Sequence, residues 1–122
     1  MIKIDENLTV ISPIGFKASG IHCGLKKSLL KKDLALIYSD VIANSCGVYT
    51  KNKVKGAPLT VTKKHLINKK AQAIIINSGN ANTCNGDDGL SKANTMTQLC
   101  AKALNIKNDD VLVASTGVIG VP

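Results

Sequence analysis

Residues 73–77, which read Ala-Ile-Ile-Ile-Asn, constrain the fold of this chain more than any other segment of the sequence. A β-branched run without polar alternation is typical of a strand that is covered on both faces. The asparagine-rich stretch that follows, residues 78–82, predicts a loop, because Asn and Gly tolerate turn conformations. The sequence therefore predicts a buried strand whose end carries several amide side chains.

Other segments predict the elements that pack around this strand. Three of them have the short apolar runs that are typical of strands: residues 33–40, 47–50 and 111–114. Between positions 90 and 104 the apolar residues recur at helical spacing, and Asp87 and Asp88 are suited to capping the start of that helix. Residues 59–66, which follow Pro58, fit either a strand or a short helix.

The length of the chain favours one domain that spans residues 1–122. The first 25 residues are rich in glycine, which favours short strands and turns. Strand, helix and strand then follow one another within about 40 residues, which indicates an α/β fold with a layered α+β arrangement. Apolar residues make up 44% and charged residues 20%, values that are typical of globular chains and not of disordered ones.

The sequence shows no feature of a membrane span or of a secretory leader. Its longest apolar runs have the length of strands, well below the roughly 20 residues that a membrane helix needs. The N-terminal segment 1–7 contains Asp5 and Glu6 and lacks the apolar core of a leader. We therefore expect a cytoplasmic protein without a membrane partner.

The chain is strongly basic, with a net charge of +8 that comes from lysines alone, since it contains no arginine. Such an excess can bind nucleic acid, steer a small anion to a pocket, or simply keep the surface solvated. The missing arginines and the scarcity of aromatic residues argue against nucleic acid. Surface solvation is the favoured interpretation, because the lysine pairs occur beside turn residues.

Neither a metal site nor a nucleotide site is predicted. The four cysteines are separated widely and form no C-x-x-C pair, which favours free thiols: Cys23, Cys46, Cys84 and Cys100. Cys84 has no identifiable base, so a small buried filler is favoured over a nucleophile at that position. The glycines of residues 15–24 match no phosphate-binding motif, and no cofactor is therefore expected.

Two segments carry candidate chemistry. In Ser115-Thr116-Gly117 a buried strand gives way to a glycine-bearing turn, so a hydroxyl and an unhindered backbone N–H can point at one spot, which is the geometry of an oxyanion hole. On pattern alone an ordinary turn is the favoured alternative. Asn80 and Asn82 follow a buried strand, where ligands often bind in α/β sheets, although asparagines are also common in plain turns.

Several blocks of sequence occur in a characteristic order from Gly15 to Pro122. In chain order they are GFKASG (15–20), GLK (24–26), DLALI (33–37), GVYT (47–50), NKVK (52–55) with AP (57–58), NSGNAN (77–82) with Cys84 and Gly86, and VASTGVIG (113–120). These blocks resemble the bifunctional ornithine acetyltransferases, or glutamate N-acetyltransferases, of arginine biosynthesis. The resemblance covers nearly the whole chain.

The resemblance implies an enzyme that transfers acetyl from N-acetylornithine to glutamate, with acetyl-CoA as a further co-substrate in bifunctional members. Such enzymes cleave themselves before a threonine, and two α and two β chains assemble as a heterotetramer. The new terminal threonine carries the acetyl group in a ping-pong cycle. The residues that match the family's oxyanion hole are Thr116, through its hydroxyl, and Gly117, through its N–H.

The resemblance also implies what this chain lacks. It ends at Pro122, before the family's Ala-Thr cleavage motif, so we expect the N-terminal fragment of an α chain that has no nucleophile and no activity alone. Two alternatives stay open. One is a non-catalytic module that binds small anions or nucleic acid through its lysines. The other is an aminopeptidase-like hydrolase of the same self-cleaving fold.

Overall fold

A computed structural model of the chain describes residues 6–122, which contain one four-stranded sheet, two α-helices and two short 3-10 helices. The elements in chain order are β1 (Phe16–Ile21), β2 (Leu34–Asn44), α1 (Ala57–His65), β3 (Lys70–Asn80), α2 (Gly86–Leu104) and β4 (Val111–Val118). Residues 1–5 lie outside the described residues. The expectation that the chain has no secretory leader was drawn from residues 1–7, so most of that segment also lies outside them.

The sheet is mixed and its strands follow the order β1-β2-β3-β4. The first two strand pairs are antiparallel, whereas β3 and β4 are parallel and are connected through α2. Parallel neighbours need such a crossover, because a short turn cannot return the chain to the same end of the sheet. The predicted layered α+β fold is confirmed.

The core lies between the sheet and the two helices. Its fully buried residues are mostly small: Val61, Ala73, Ala93, Ala101, Val111 and Val113. These residues form two clusters, one that includes Ala73 and Val111 and one that includes Val61 and Val113, and Ile75 in the middle of β3 packs against both. Small side chains at these positions let the helix backbones lie close to the sheet, and each buried valine contributes about 1.5–3 kcal/mol.

Helix α1 occupies the segment that fitted either a strand or a helix. Pro58 lies in its first turn, where the missing N–H costs nothing. Its last turn carries Lys63 and Lys64, whose positive charge suits the negative end of the helix dipole. The buried His65 places Nδ1 2.7 Å from the carbonyl oxygen of Val111, so α1 lies along the outer edge of β4.

Strands β3 and β4 are longer than the sequence predicts. Residues 78–80, predicted as a loop, belong to β3, and the predicted turn at residues 115–117 belongs to β4. The two extensions pair with each other in parallel register, so each provides the hydrogen-bonding partner that the other needs. A single strand pattern cannot reveal such a partner, because it lies almost 40 positions away in the chain.

Of two further predictions, one was wrong and the other was wrong in part. Residues 47–50 form no strand, because β1 and β3 already flank β2, and Val48 is fully exposed. Helix α2 begins at Gly86 with Asn85 as its N-cap, so Asp87 and Asp88 lie in the first turn and make no side-chain cap. Their charges still face the positive end of the helix dipole.

The isoleucine run is covered by the helices on one face only. Ile75 points towards α2, whereas Ile74 and Ile76 point to the opposite face by the alternation of a strand and remain partly exposed. The prediction of cover on both faces therefore fails within the part of the chain that the structure describes.

Candidate active site at the ends of strands β3 and β4

The structure brings the two candidate segments together at the carboxyl ends of the parallel strands. Ser78 pairs with Thr116, and Gly79 pairs with Gly117. The two segments are separated in sequence by the whole of α2, which returns the chain to the same edge of the sheet. Ligands commonly bind at this end of parallel strands.

Gly79 and Gly117 both have a φ of +133°, a value that side chains rarely permit. A Cβ atom on Gly117 would lie 2.5 Å from the carbonyl oxygen of Gly79 and 2.6 Å from the nitrogen of Asn80. Both neighbours are backbone atoms and cannot move aside cheaply. The close approach of the two strands therefore requires glycine at position 117.

The two predicted oxyanion-hole donors are both accessible. Thr116 is exposed on the sheet face opposite the helices, and its hydroxyl lies 3.5 Å from the carbonyl oxygen of Asn77, at the limit of a hydrogen bond. In a parallel pair every second residue directs its N–H away from the partner strand. The N–H of Val113 points away from β3, because it donates to the Thr62 hydroxyl. Gly117 lies an even number of residues further along the same strand, so its N–H is expected to point away from β3 as well.

The side chains of Asn80 and Asn82 are engaged within the protein. Asn80 accepts a hydrogen bond from the N–H of Asn82 at 2.7 Å and donates one to the carbonyl oxygen of Val121 at 2.9 Å. Asn82, which is buried, donates to the carbonyl oxygen of Gly89 at 2.8 Å. These bonds attach the end of β3 to α2 and to the segment after β4.

A cavity of about 370 Å³ lies on the helix side of the same strand ends. Its lining includes Asn77, Asn82, Met96 and Ser115. The Ser115 hydroxyl is buried and has no hydrogen-bond partner. Consecutive strand residues point to opposite faces, so Ser115 and Thr116 place their hydroxyls on the two sides of the sheet.

Asp33 is a site-supporting residue that the sequence marked only as the end of an apolar run. Its buried carboxylate accepts hydrogen bonds from the N–H groups of Cys23, at 2.6 Å, and Lys26, at 2.8 Å. The ring nitrogen Nδ1 of His22 lies 3.1 Å from Oδ2 of the same carboxylate. Burial alone raises the pKa of this carboxyl, but the hydrogen bonds and the nearby imidazole lower it well below its usual range.

This carboxylate holds the loop of residues 22–26 against the end of β3. The carbonyl oxygen of Asp33 accepts a hydrogen bond from the N–H of Ser78 at 2.8 Å, and a Cβ on Gly79 would lie 3.2 Å from Leu25 Cβ. The glycine-rich start of the chain therefore buttresses the candidate site. The only sign of this role in the sequence is the position of Asp33 at the boundary of an apolar run.

The cysteines are free thiols, as predicted, but Cys84 is exposed, so its prediction as a buried filler was wrong. It has a φ of +64° in the turn that leads into α2, and this turn points its side chain to solvent. Among residues 6–122, no three His, Cys, Asp or Glu side chains come together as a metal site would require. Neither helix of this described region is long and apolar enough to cross a bilayer.

Comparison with known proteins gives a consistent result. The sequence profile of the ArgJ family matches residues 17–122. The arginine biosynthesis bifunctional protein ArgJ of Caldanaerobacter subterraneus subsp. tengcongensis is 54% identical over 110 residues, which make up 90% of this chain and 27% of that protein. The protein of the same name from Bacillus thuringiensis subsp. konkukian is 51% identical over 128 residues, covering 100% of this chain and 31% of that protein.

Two solved structures share the fold. The crystal structure of the arginine biosynthesis bifunctional protein ArgJ of Bacillus halodurans superimposes with a TM-score of 0.85 at 48% identity, covering 88% of this chain and 56% of that one. The ornithine acetyltransferase of Mycobacterium tuberculosis, solved in complex with ornithine, gives a TM-score of 0.88 at 36% identity, covering 92% and 61%.

The chain spans less than a third of the length of the curated relatives, 27% of one and 31% of the other. Within that span, the match of residues 17–122 includes both candidate segments, at the ends of β3 and β4. On this evidence the chain belongs to the ArgJ family.

Proposed function

We propose that this chain is part of an acetyltransferase of arginine biosynthesis that moves acetyl from N-acetylornithine to glutamate, with acetyl-CoA as a second acetyl donor. The names of its relatives, arginine biosynthesis bifunctional protein and ornithine acetyltransferase, support this assignment. The reaction uses soluble small molecules and no resident cofactor, and we place it in the cytoplasm.

In this proposal the ends of β3 and β4 stabilise the negative charge that develops on the acetyl oxygen. A nucleophile attacks the acetyl carbon, and the electron pair of the carbonyl bond moves to oxygen. The Thr116 hydroxyl and the Gly117 N–H donate hydrogen bonds to that oxyanion, and its collapse expels the ornithine amine, which takes up a proton. The glutamate amine then attacks the acyl carbon, the bond between that carbon and the nucleophile breaks, and the released nucleophile takes up the proton that the amine loses.

The single observation that carries the proposal is the pairing of Gly79 with Gly117. It requires a backbone at position 117 without a side chain, and it leaves the N–H of that residue directed away from β3. The adjacent Thr116 hydroxyl is exposed and has one long contact only. A preorganised pair of donors, free of strong internal partners, is what an oxyanion requires.

We propose further that residues 1–122 form a single domain of the α chain, and that the nucleophilic threonine and the β chain belong to the remaining length of the protein. The two chains would assemble as a heterotetramer of two α and two β chains. The 122-residue chain alone is then expected to catalyse no acetyl transfer. The small share of the relatives' length that it covers supports this expectation.

The test is an assay of acetyl transfer from N-acetylornithine to glutamate with the full-length protein. Thr116→Ala is expected to lower kcat about 100- to 1,000-fold, the usual effect of losing one oxyanion donor, with little change in KM. Thr116→Ser keeps the hydroxyl and is expected to retain most of the activity. The matched control is Thr95→Ala, an exposed threonine on α2 whose loss should leave kcat unchanged.

Three outcomes would contradict the proposal. The first is full activity of Thr116→Ala, and the second is equal loss in the serine and alanine variants, which would indicate a structural role. The third is hydrolysis of an N-terminal amino acid from a peptide without acetyl transfer, which would assign the related aminopeptidase-like chemistry. Turnover by the 122-residue chain itself would refute the placement of the nucleophile outside it.

A further inference from the structure

Asn77 is a polar residue on the core-facing side of β3. Ala73 and Ile75 precede it at every second position and pack against buried residues of α2, so the alternation of a strand turns Asn77 the same way. Only 5% of its surface is exposed. Burial of an amide is unfavourable unless it forms hydrogen bonds, whereas an apolar side chain would fill this place without that cost. The asparagine therefore needs a reason beyond packing.

The amide group of Asn77 spans the bend at the end of β3. Its Nδ2 donates a hydrogen bond of 2.8 Å to the carbonyl oxygen of Asn80, three residues further along the chain. Gly79 lies between these two residues and has a positive φ. The bond thus joins the residue before the bend to the residue after it, and it fixes the conformation of the chain in between.

The chain that Asn77 holds in this way lies against Gly117. A Cβ atom on Gly117 would overlap three atoms of a single peptide group, namely the carbonyl carbon and oxygen of Gly79 and the nitrogen of Asn80. That peptide group therefore lies directly against the Cα atom of Gly117. Closely packed backbone transmits displacement, so a shift of the peptide group would also shift Gly117 and the adjacent Thr116.

Other hydrogen bonds hold the turn that follows the bend. The side chain of Asn80 donates to the carbonyl oxygen of Val121, and the N–H of Ala81 donates to the carbonyl oxygen of Val118 at 2.9 Å. Both bonds join the turn to residues after Gly117. Loss of the Asn77 amide is therefore expected to loosen the bend without unfolding the turn.

We propose that Asn77 is a positioning residue that aligns the two oxyanion donors, Thr116 and Gly117. Its side chain lines the cavity on the helix side of the sheet, whereas the Thr116 hydroxyl lies on the opposite face. It therefore acts through the peptide group between Gly79 and Asn80. The inference rests on the proposed function, because alignment matters only where an oxyanion forms. Misplacement of a catalytic group by about 1 Å can cost roughly 100-fold in rate.

Steady-state acetyl transfer by the full-length enzyme tests the proposal. Asn77→Asp keeps the shape of the side chain, but an ionised carboxylate cannot donate to the Asn80 carbonyl oxygen. We expect kcat to fall about 10- to 100-fold and KM to change less than twofold, because the donors act in the transition state. Asn77→Ala removes the donor without burying a charge and should show a similar loss.

The control is Asn94→Ala, which removes an exposed amide bond to a backbone carbonyl within α2 and should change kcat less than twofold. Circular dichroism checks that each variant is folded. Full kcat in Asn77→Asp would overturn the proposal, because it would assign the residue to packing alone. A loss confined to KM would also overturn it, and so would unfolding of both Asn77 variants, which would assign the residue to the fold.

A double-mutant cycle with Thr116→Ala separates alignment from an independent effect of Asn77. If Asn77 aligns the donors, Thr116→Ala should cost at least fivefold less in kcat in the Asn77→Ala background than in the unmodified enzyme. Losses that simply multiply would overturn the proposal. Full activity of Thr116→Ala would refute the oxyanion hole itself, whereas a loss in Thr116→Ala with none in the Asn77 variants would refute only the role of Asn77.

Discussion

The hydroxyl of Thr62 is bonded to both backbone groups of Val113, accepting from its N–H at 3.0 Å and donating to its carbonyl oxygen at 2.7 Å. Val113 lies on β4, at the edge of the sheet, where every second residue turns its polar groups outwards. Helix α1 thus replaces a fifth strand, and one side chain provides the contacts that the edge would otherwise lack.

The first prediction follows from this arrangement. Thr62→Val has nearly the same shape and helix propensity but leaves two partly buried backbone groups without a partner. We expect the free energy of unfolding to fall by about 1–3 kcal/mol, and hydrogen exchange at the Val113 amide to accelerate. Thr60→Val, on the exposed side of the same helix, should change stability by less than about 0.5 kcal/mol. Equal effects of the two substitutions would contradict the edge-covering role.

The second prediction concerns Gly117. Gly117→Ala combines an unfavourable φ with overlap against the backbone of β3, so we expect a loss of about 2–6 kcal/mol in the free energy of unfolding. Gly120→Ala is the matched control, because Gly120 also has a positive φ but a Cβ there would meet no atom within 4 Å. It should cost about 1–2 kcal/mol. Urea denaturation measures both, and a smaller loss for Gly117→Ala would contradict the close approach of the strands.

The parts of the fold that follow from local pattern were predictable from the sequence. The apolar run at the centre of β3 and the helical spacing of α2 depend on burial of their own side chains, and both were predicted correctly. Residues 47–50 have an equally good strand pattern, but no sheet edge beside β2 is free for them. The nature of residues 59–66 was undecided because the edge of β4 determines it.

The site was predictable only in part, for the same reason. The pattern placed a glycine after Thr116 and a glycine after Ser78, but not the pairing of these segments, which depends on how α2 returns the chain. The roles of Asn80 and Asn82 were also undecided, because their hydrogen bonds go to carbonyl groups elsewhere in the chain, which the neighbouring sequence does not indicate. Resemblance to the family supplied the hypothesis that Thr116 and Gly117 form an oxyanion hole, whereas physical pattern alone favoured an ordinary turn.

The third prediction is a pH dependence that comes from Asp33. A carboxyl whose pKa is lowered on folding stabilises the protein above its unfolded pKa, about 3.9, and this contribution disappears as the pH falls through the folded pKa. Asp33→Asn should therefore lower Tm at pH 7, and the difference from the unmodified protein should narrow as the pH falls below about 4. Asp87→Asn, at an exposed aspartate of α2, should lower Tm at pH 7 less than Asp33→Asn does. A difference that stays constant from pH 7 to pH 3 would contradict the role of the charge.

The fourth prediction separates a structural role of Asn82 from substrate binding. Its buried side chain donates to the carbonyl oxygen of Gly89, and its backbone has a φ of +47°, which asparagine tolerates better than alanine does. Asn82→Ala should therefore lower the free energy of unfolding by about 1–3 kcal/mol in the absence of any substrate. Asn94→Ala removes an exposed bond of the same kind within α2 and should have little effect.

If Asn82 instead contacts substrate, its loss would leave urea denaturation unchanged and raise KM in the full-length enzyme. The hydrogen bond to Gly89 favours the first result, because a buried amide that already satisfies a helix carbonyl has little capacity left for a ligand. Asn80 lies nearer the surface, and its amide holds the carbonyl oxygen of Val121. A rise in KM for Asn80→Ala without loss of stability would then locate substrate binding at the end of β3 and not in the turn before α2.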